Sequence, residues 1–349
     1  MLLMAQSPHK NNTTIMQKQI TEKCVLLNKN GTLATKGYAT KMNIEYNREY
    51  VKGFPFKLKE WIFYQFVKDH YAVQLTIGHL TYVCSVTATV LDLDTGKKWE
   101  VNSMRALYTA KLDRDPEGPS FNEYKAKDFY MSFEVTDKHR TLYFKGKNDK
   151  FSDVEIKIVA DNDIDNEKMV IATPFTKKTQ FYLNYKENYY NATGFARFDD
   201  FELDLNGATG LVDWGRGVWP YSHEWFWGNM STNIDGVPFG FNIGWGFGDL
   251  SNATENMYFV NKKAYKVGHL NVERDVNNYM APWHLWDDEG TIELNFTPIY
   301  DNYTFNKIFV VDTHCDQVYG NFDGWVKTDD GKLEIKNQLA FIEHAVNKW

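Results

Sequence analysis

The sequence has no apolar run of the roughly 18 residues that a membrane-spanning helix needs. It also lacks any long 3.6-residue stripe of apolar positions with caps at its ends, which leaves little room for helix. Basic clusters are missing: Lys177-Lys178 and Lys262-Lys263 are isolated pairs. With a net charge of −7 over 349 residues, the chain offers no basic face to a nucleic acid. Cysteine is scarce. Cys24, Cys84 and Cys315 are odd in number and far apart, so they form neither a disulfide framework nor a metal-ligand spacing. A reducing, cytoplasmic compartment is the simpler expectation. The histidines are scattered without HxH or HxxxH pairs, which argues against zinc. There is no Gly-x-Ser-x-Gly elbow for a serine hydrolase. The start, MLLMAQSPHKNNTTIMQKQI, lacks the sustained apolar stretch of a secretory signal. It reads as a disordered tail or cloning remnant over residues 1–19, with Met16 a candidate start. The charged run 161–168 lacks the Gly and Glu of a calcium loop and reads as solvated. No metal and no cofactor are expected.

What the chain has in excess is aromatic side chains, at 16%. These favour strands. Runs of β-formers recur between turn signals: 59–67, 71–80, 81–93 (with a tight turn at Gly78-His79), 99–107, 129–135, 140–145 and 154–159. Others follow at 180–190, 194–205, 256–260, 262–267, 291–300, 305–312, 317–327 and 333–343. Residues 112–127, rich in acid, Pro and Gly, read as a loop. The class is all-β, sandwich or barrel, and the length asks for two barrels. Pro174 and the lysine pair after it interrupt the strands. The expected halves are therefore 20–174 and 175–349.

The most distinctive stretch is Leu211–Gly228, LVDWGRGVWPYSHEWFWG, which holds four of the 11 tryptophans. An acid among rings is partly desolvated and favours its neutral, proton-donating form; Arg216 three residues on favours the charged form. Gly215 and Gly217 suggest a bulge or a close backbone approach. The alternation of Gly with large residues over 240–248 suits a barrel taper or a backbone approached by ligand, and is no nucleotide loop.

The strings VDWGRGVWPY at 212–221, ATENMYFVNKKAYKVGHL at 253–270 and the C-terminal 318–349, with LKEWIFYQF at 58–66, resemble the uncharacterised family DUF2804. That family is remotely similar to two-lipocalin proteins: carotenoid hydratases, attachment-factor-like proteins and lipocalin-type cyclases. The resemblance implies two lipocalin-like antiparallel β-barrels packed side by side, with an apolar ligand cavity. Of catalytic positions it carries over Asp213 before Trp214-Gly215.

Three functional readings stand. In the first, an apolar small molecule is hydrated, isomerised or cyclised by acid catalysis. Asp213 is the proton donor, Arg216 orients it or binds a polar end of the substrate, and Glu255 is a further catalytic candidate. Trp214, Trp219, Tyr221, Trp225, Trp227, Trp245 and Asn256 then line the site, with ring faces stabilising a developing cation. In the second, the same rings carry a lipid without chemistry. In the third, Asp213 pairs with Glu224, Glu255 or Glu343 as the two carboxyls of a glycoside hydrolase. Glu343-His344 is a candidate buried acid–base pair.

Overall fold

The computed structural model describes residues 17–54, 56–80, 83–108, 110–308 and 311–349. Residues 1–16 of the tail, and Met16 with them, lie outside the described residues. Gln17, at its described end, is tied down by hydrogen bonds to Val267 and Thr254.

Almost everything described is antiparallel strand, and the one helical segment among the described residues is a 3-10 turn, Arg48–Tyr50. No described helix is long and apolar enough to cross a membrane. The strands form two large sheets. The first runs Lys98–Ala106, Val83–Asp92, Tyr71–Leu80, Lys59–Lys68, Ala208–Val218, Phe181–Phe198, Val154–Asp161, His139–Gly146, Phe129–Val135, Ser120–Ala126. Its two edges come back to one another through side chains: Ser103 meets the Tyr124 hydroxyl at 2.7 Å, and Arg105 donates to the Lys125 carbonyl. The result is a nearly closed barrel. The second sheet runs Lys263–Lys266, Met257–Val260, Val237–Trp245, Ser222–Ile234, Gly331–Lys348, Val311–Thr328, Ile292–Ile308, Trp283–Asp287, Leu270–Glu273, and curls into a half-barrel.

The period-two alternation of each strand decides what lies where. Tyr64, Phe66, Phe133, Phe144, Tyr124 and Trp214 turn into the barrel and fill it. Phe241, Leu294, Phe296, Val318 and Ile342 build the core of the half-barrel. The opposite faces of the central strands meet in a seam between the sheets, where Leu211, Trp227, Tyr319 and Phe341 pack together.

The division between sheets falls between Val218 and Ser222, not at 174–175. Pro174 pairs with Phe181, so the segment expected to separate the halves closes a hairpin inside the first sheet. Turn residues mark hairpins as readily as domain boundaries. Gly78 and His79 are in-strand, paired with Ser85 and Cys84; residues 81–82 of the next run lie outside the described residues. The presumed loop 112–127 contains the strand Ser120–Ala126, whose buried Asn122 and Tyr124 alternate with more exposed neighbours. The runs at 180–190 and 194–205 belong largely to one long strand, Phe181–Phe198, bulged at Tyr189 with φ 66°. The bulge re-aims Asn188, whose amide donates across the seam to Asn229 and to the Met230 carbonyl at 2.6 Å each. Gly240 makes room for that asparagine: a Cβ there would stand 2.8 Å from Asn188 Cβ. The glycine-rich run therefore admits a neighbouring strand of the other sheet.

Candidate functional site

The strand Ala208–Val218 has two faces with different chemistry. Trp214 and Arg216, at even positions, point into the barrel. Asp213, Gly215 and Gly217, at odd positions, face the seam. Asp213 and Arg216 therefore do not form the pair that their spacing suggested. Arg216, fully buried, donates to the carbonyls of Trp61, Gly215 and Asp113, and pairs with Asp113 at 3.1 Å and Glu60 at 3.5 Å. Its guanidinium stacks 3.7 Å from the Trp214 ring, and Trp214 in turn donates to Asp113. Both belong to a charged layer inside the barrel and play no part in orienting Asp213.

The strand runs unbroken through both glycines. Their role is close approach. A Cβ on Gly215 would fall 2.1 Å from the Trp61 ring, and one on Gly217 would fall 2.8 Å from the Trp219 ring. The two glycines form a floor on which two indoles lie. Trp61 uses that position to donate from Nε1 to Asp213 Oδ2 at 3.1 Å. Asn184, directly across the ladder from Gly215, donates to Asp213 Oδ1 at 2.5 Å. Lys186 is the cross-strand neighbour of Asp213; its ammonium pairs with Glu255 at 3.1 Å and lies 4.3 Å from the Trp227 ring centroid.

The other sheet contributes a matching element. Trp225 Nε1 donates to Glu343 Oε1 at 2.8 Å, across the Ser222–Ile234 and Gly331–Lys348 strands. The rings of both indoles belong to one aromatic wall. Trp61 lies 6.0 Å from Tyr182 and 5.7 Å from Trp219; Trp225 lies 5.5 Å from Phe247, which touches Tyr182 and Trp219 in turn. Trp349 and His223 flank Trp219, and Lys59 sits over the Trp219 and Trp349 rings at 4.9 Å. Trp61, His223, Trp225 and Trp349 are part-exposed, so this wall opens to solvent on one side.

Burial raises the Asp213 carboxyl above its usual range, and nearby Glu255 adds to that; Lys186, Asn184 and Trp61 pull the other way. Glu343 is raised chiefly by burial, with Asp213 adding to it and the Trp225 bond opposing. His223 is held down to about 4 by burial; its Nδ1–H donates to the Pro220 carbonyl, and Nε2 accepts from Trp219. It is a neutral wall residue. Lys59 is lowered to about 8 by burial.

Of the other sequence-derived candidates, Trp219, Trp225, Trp227 and Glu255 come to this seam. Tyr221 is half-exposed at the edge of the wall, where its carbonyl accepts from the Trp349 N–H. Asn256 is structural, bonded to Gly244 and Gly268. Trp245 faces the half-barrel, stacked on Phe226. Glu343 and His344 lie on opposite faces of one strand and are not a pair. Glu224 is largely exposed and reaches His344 at 3.8 Å. Sequence reasoning missed Trp61, Tyr182, Asn184 and Lys186. A signal was present: polar side chains at 184 and 186 alternate with Phe181, Leu183 and Tyr185, which marks a strand with a buried polar face. Two hollows, a 10 Å³ crevice by Gln65 and Asn229 and a 410 Å³ polar cleft by Lys98, Asn148 and Lys150, do not touch these residues.

The sequence model of the family described as domain of unknown function (DUF2804) matches residues 17–349, and the chain belongs to that family. No curated protein matches it. Among solved structures, the chain is similar to CghA in complex with Sch210972, with a TM-score of 0.49, 10% identity, and 83% of this chain and 88% of that one covered. It is likewise similar to kievitone hydratase from Nectria haematococca, with a TM-score of 0.46, 10% identity, and 83% and 88% covered.

Proposed function

We propose that the protein binds a largely apolar, unsaturated small molecule against the aromatic wall of the seam and protonates it from Asp213. The observation that carries this reading is the double role of Trp61 and Trp225. Each places its ring in the wall and its Nε1–H on a buried carboxyl of raised pKa. A substrate on the wall is thus held beside two acids that favour their neutral form.

Asp213 gives its proton to one alkene carbon, and the π pair becomes the new C–H bond. The neighbouring carbon becomes cationic and is faced by ring quadrupoles. Water adds to it, a neighbouring proton leaves, or a second double bond attacks; these are hydration, isomerisation and cyclisation. Asp213 is left as a carboxylate, held by Asn184, Trp61 and the charge of Lys186. The groups that oppose the raised pKa at rest are those that stabilise the product of proton transfer, and so favour the transfer itself. The proton that the added water, the neighbouring carbon or the cyclised cation gives up returns to the Asp213 carboxylate and restores the acid, and Glu343 is the second buried carboxyl near it.

The test is a deuterium experiment. Ligand extracted from the purified protein, identified by mass spectrometry, is returned to wild type and to Asp213→Asn in heavy water. Wild type should place deuterium on a ligand carbon, and the variant should not, while binding the ligand as well. Carbon labelling that persists in Asp213→Asn removes it as the donor. Binding without any labelling makes the protein a carrier, and an oligosaccharide as the extracted ligand would overturn the apolar reading.

A further inference from the structure

Phe226 and His344 each lie one residue along from Trp225 and Glu343, and the strand period turns them to the other face, toward the half-barrel. There Trp245 stacks on Phe226 at 4.9 Å, and Phe226 on His344 at 3.9 Å. Tyr279 Oη meets His344 Nδ1 at 2.5 Å, and Trp283 closes the group 6.4 Å from Phe226. Carboxyls surround these rings. Asp316 is the cross-strand neighbour of His344, Asp301 lies beside Asp316, and Glu224 reaches His344 from the rim.

Into this cage comes Arg274. Its guanidinium stands 5.2, 5.0 and 4.9 Å from the centroids of Phe226, Tyr279 and Trp283. Three rings around one cation is the geometry by which aromatic cages hold guanidinium and ammonium groups. The anchoring of this arginine is slight. It donates to the carbonyl of its neighbour Asp275 at 3.1 Å and touches the Tyr279 hydroxyl. It forms no ion pair among the described residues, although three carboxyls border the same mouth. It also sits in the connection between Leu270–Glu273, the edge strand of the sheet, and Trp283–Asp287, so it can leave without breaking the ladder of the central strands.

We propose that the mouth of the half-barrel is a second binding site, which takes a small organic cation of the guanidinium class, and that Arg274 is its built-in occupant. An incoming ligand exchanges with the Arg274 side chain, keeps the three ring contacts, and adds charge pairing with Asp316 and Asp301. The seam site is on the opposite face of the same strands, so this site stands whether or not the seam is catalytic.

The experiment titrates the protein with benzylguanidine and with its neutral counterpart benzylurea, by calorimetry, in wild type and Arg274→Ala. A resident competitor lowers apparent affinity by the fraction of time it holds the cage. Arg274→Ala should therefore bind benzylguanidine about tenfold tighter or more. Benzylurea should bind far more weakly, and Asp316→Asn added to Arg274→Ala should undo much of the gain. Should Arg274→Ala fail to fold, Arg274→Gln, which keeps part of the stem, replaces it. No binding by either protein, equal affinity in wild type and variant, or benzylurea binding as well as benzylguanidine would each overturn the proposal and leave Arg274 as a loop anchor.

Discussion

Replacing Lys186 by methionine is the most informative single perturbation of the seam. The lysine is 3% exposed at its side chain and its partner Glu255 8%, with 3.1 Å between Nζ and Oε2. Methionine fills the stem volume beside Trp227 but removes the charge. Glu255 is then a buried carboxylate without its cation, and removing one partner of such a pair costs about 3–5 kcal/mol. The cost should depend on pH. Lys186 is also the charge that most opposes the raised pKa of Asp213, so without it the folded-state pKa of Asp213 stands further above its unfolded value, and stability is retained at low pH and lost as pH climbs through the raised value. Urea unfolding of Lys186→Met should show the full loss at pH 7 and a much smaller one near pH 4.5. Lys186→Met combined with Glu255→Gln should recover most of the loss, because the amide is neutral at every pH. A loss at pH 7 below about 1 kcal/mol, the range of an exposed pair, would show that the two charges are solvated in the native protein. A double variant no more stable than the single one would show that the loss does not come from an unpaired Glu255.

Gly215→Ala should push Trp61 off its floor, since the added Cβ would lie 2.1 Å from the ring. We expect a cost of about 1–3 kcal/mol by overpacking, with a change in tryptophan fluorescence; an isoenergetic variant with unchanged emission would show that the indole is not held there. His223, lowered from 6.5 to about 4, contributes stability above its unfolded pKa that is lost as pH falls from about 6.5 to about 4, by at most about 3 kcal/mol. In His223→Phe that part of the acid limb should flatten, and an unchanged limb would place the titration elsewhere. Asp301, raised to about 6 by burial and by Asp316, should add the opposite trend: its contribution is present below its unfolded pKa and lost as pH rises through about 6. Asp301→Asn should remove this decline from a thermal-stability series between pH 4 and 7, and an identical series in the variant would count against it.

The class of fold was legible because aromatic and β-branched runs between turn signals have few alternatives to strand, and the family strings pointed to two barrels. The grouping of strands was not. Pro174 and Lys177-Lys178 look the same in sequence whether they join two domains or close a hairpin. The bulge at Tyr189 leaves no compositional mark that separates it from two strands with a break. At the site, Asp213 stood out because it is an acid among indoles. Its pairing with Arg216 was misread because three residues apart is a helix neighbour but a strand opposite. The same parity separates Glu343 from His344 and Trp225 from Phe226, so one stretch of sequence supplies two faces. Trp61, Asn184 and Lys186 reach Asp213 only through cross-strand register, which no local window contains. Gly215 and Gly217 were flagged as a bulge or a close approach, and the indoles lying on them make it the second.

In the proposed mechanism the Asp213 and Glu343 carboxyls of the seam keep their proton above the ordinary range, ready to give it to a bound ligand. Carbon-13 NMR titration of the side-chain carboxyls, assigned with Asp213→Asn and Glu343→Gln, tests it directly. The signals lost in these two variants should titrate above the ordinary Asp and Glu values of about 3.9 and 4.3, and the Asp213 signal should move higher still in Lys186→Met. Both signals titrating at or below those ordinary values would contradict it.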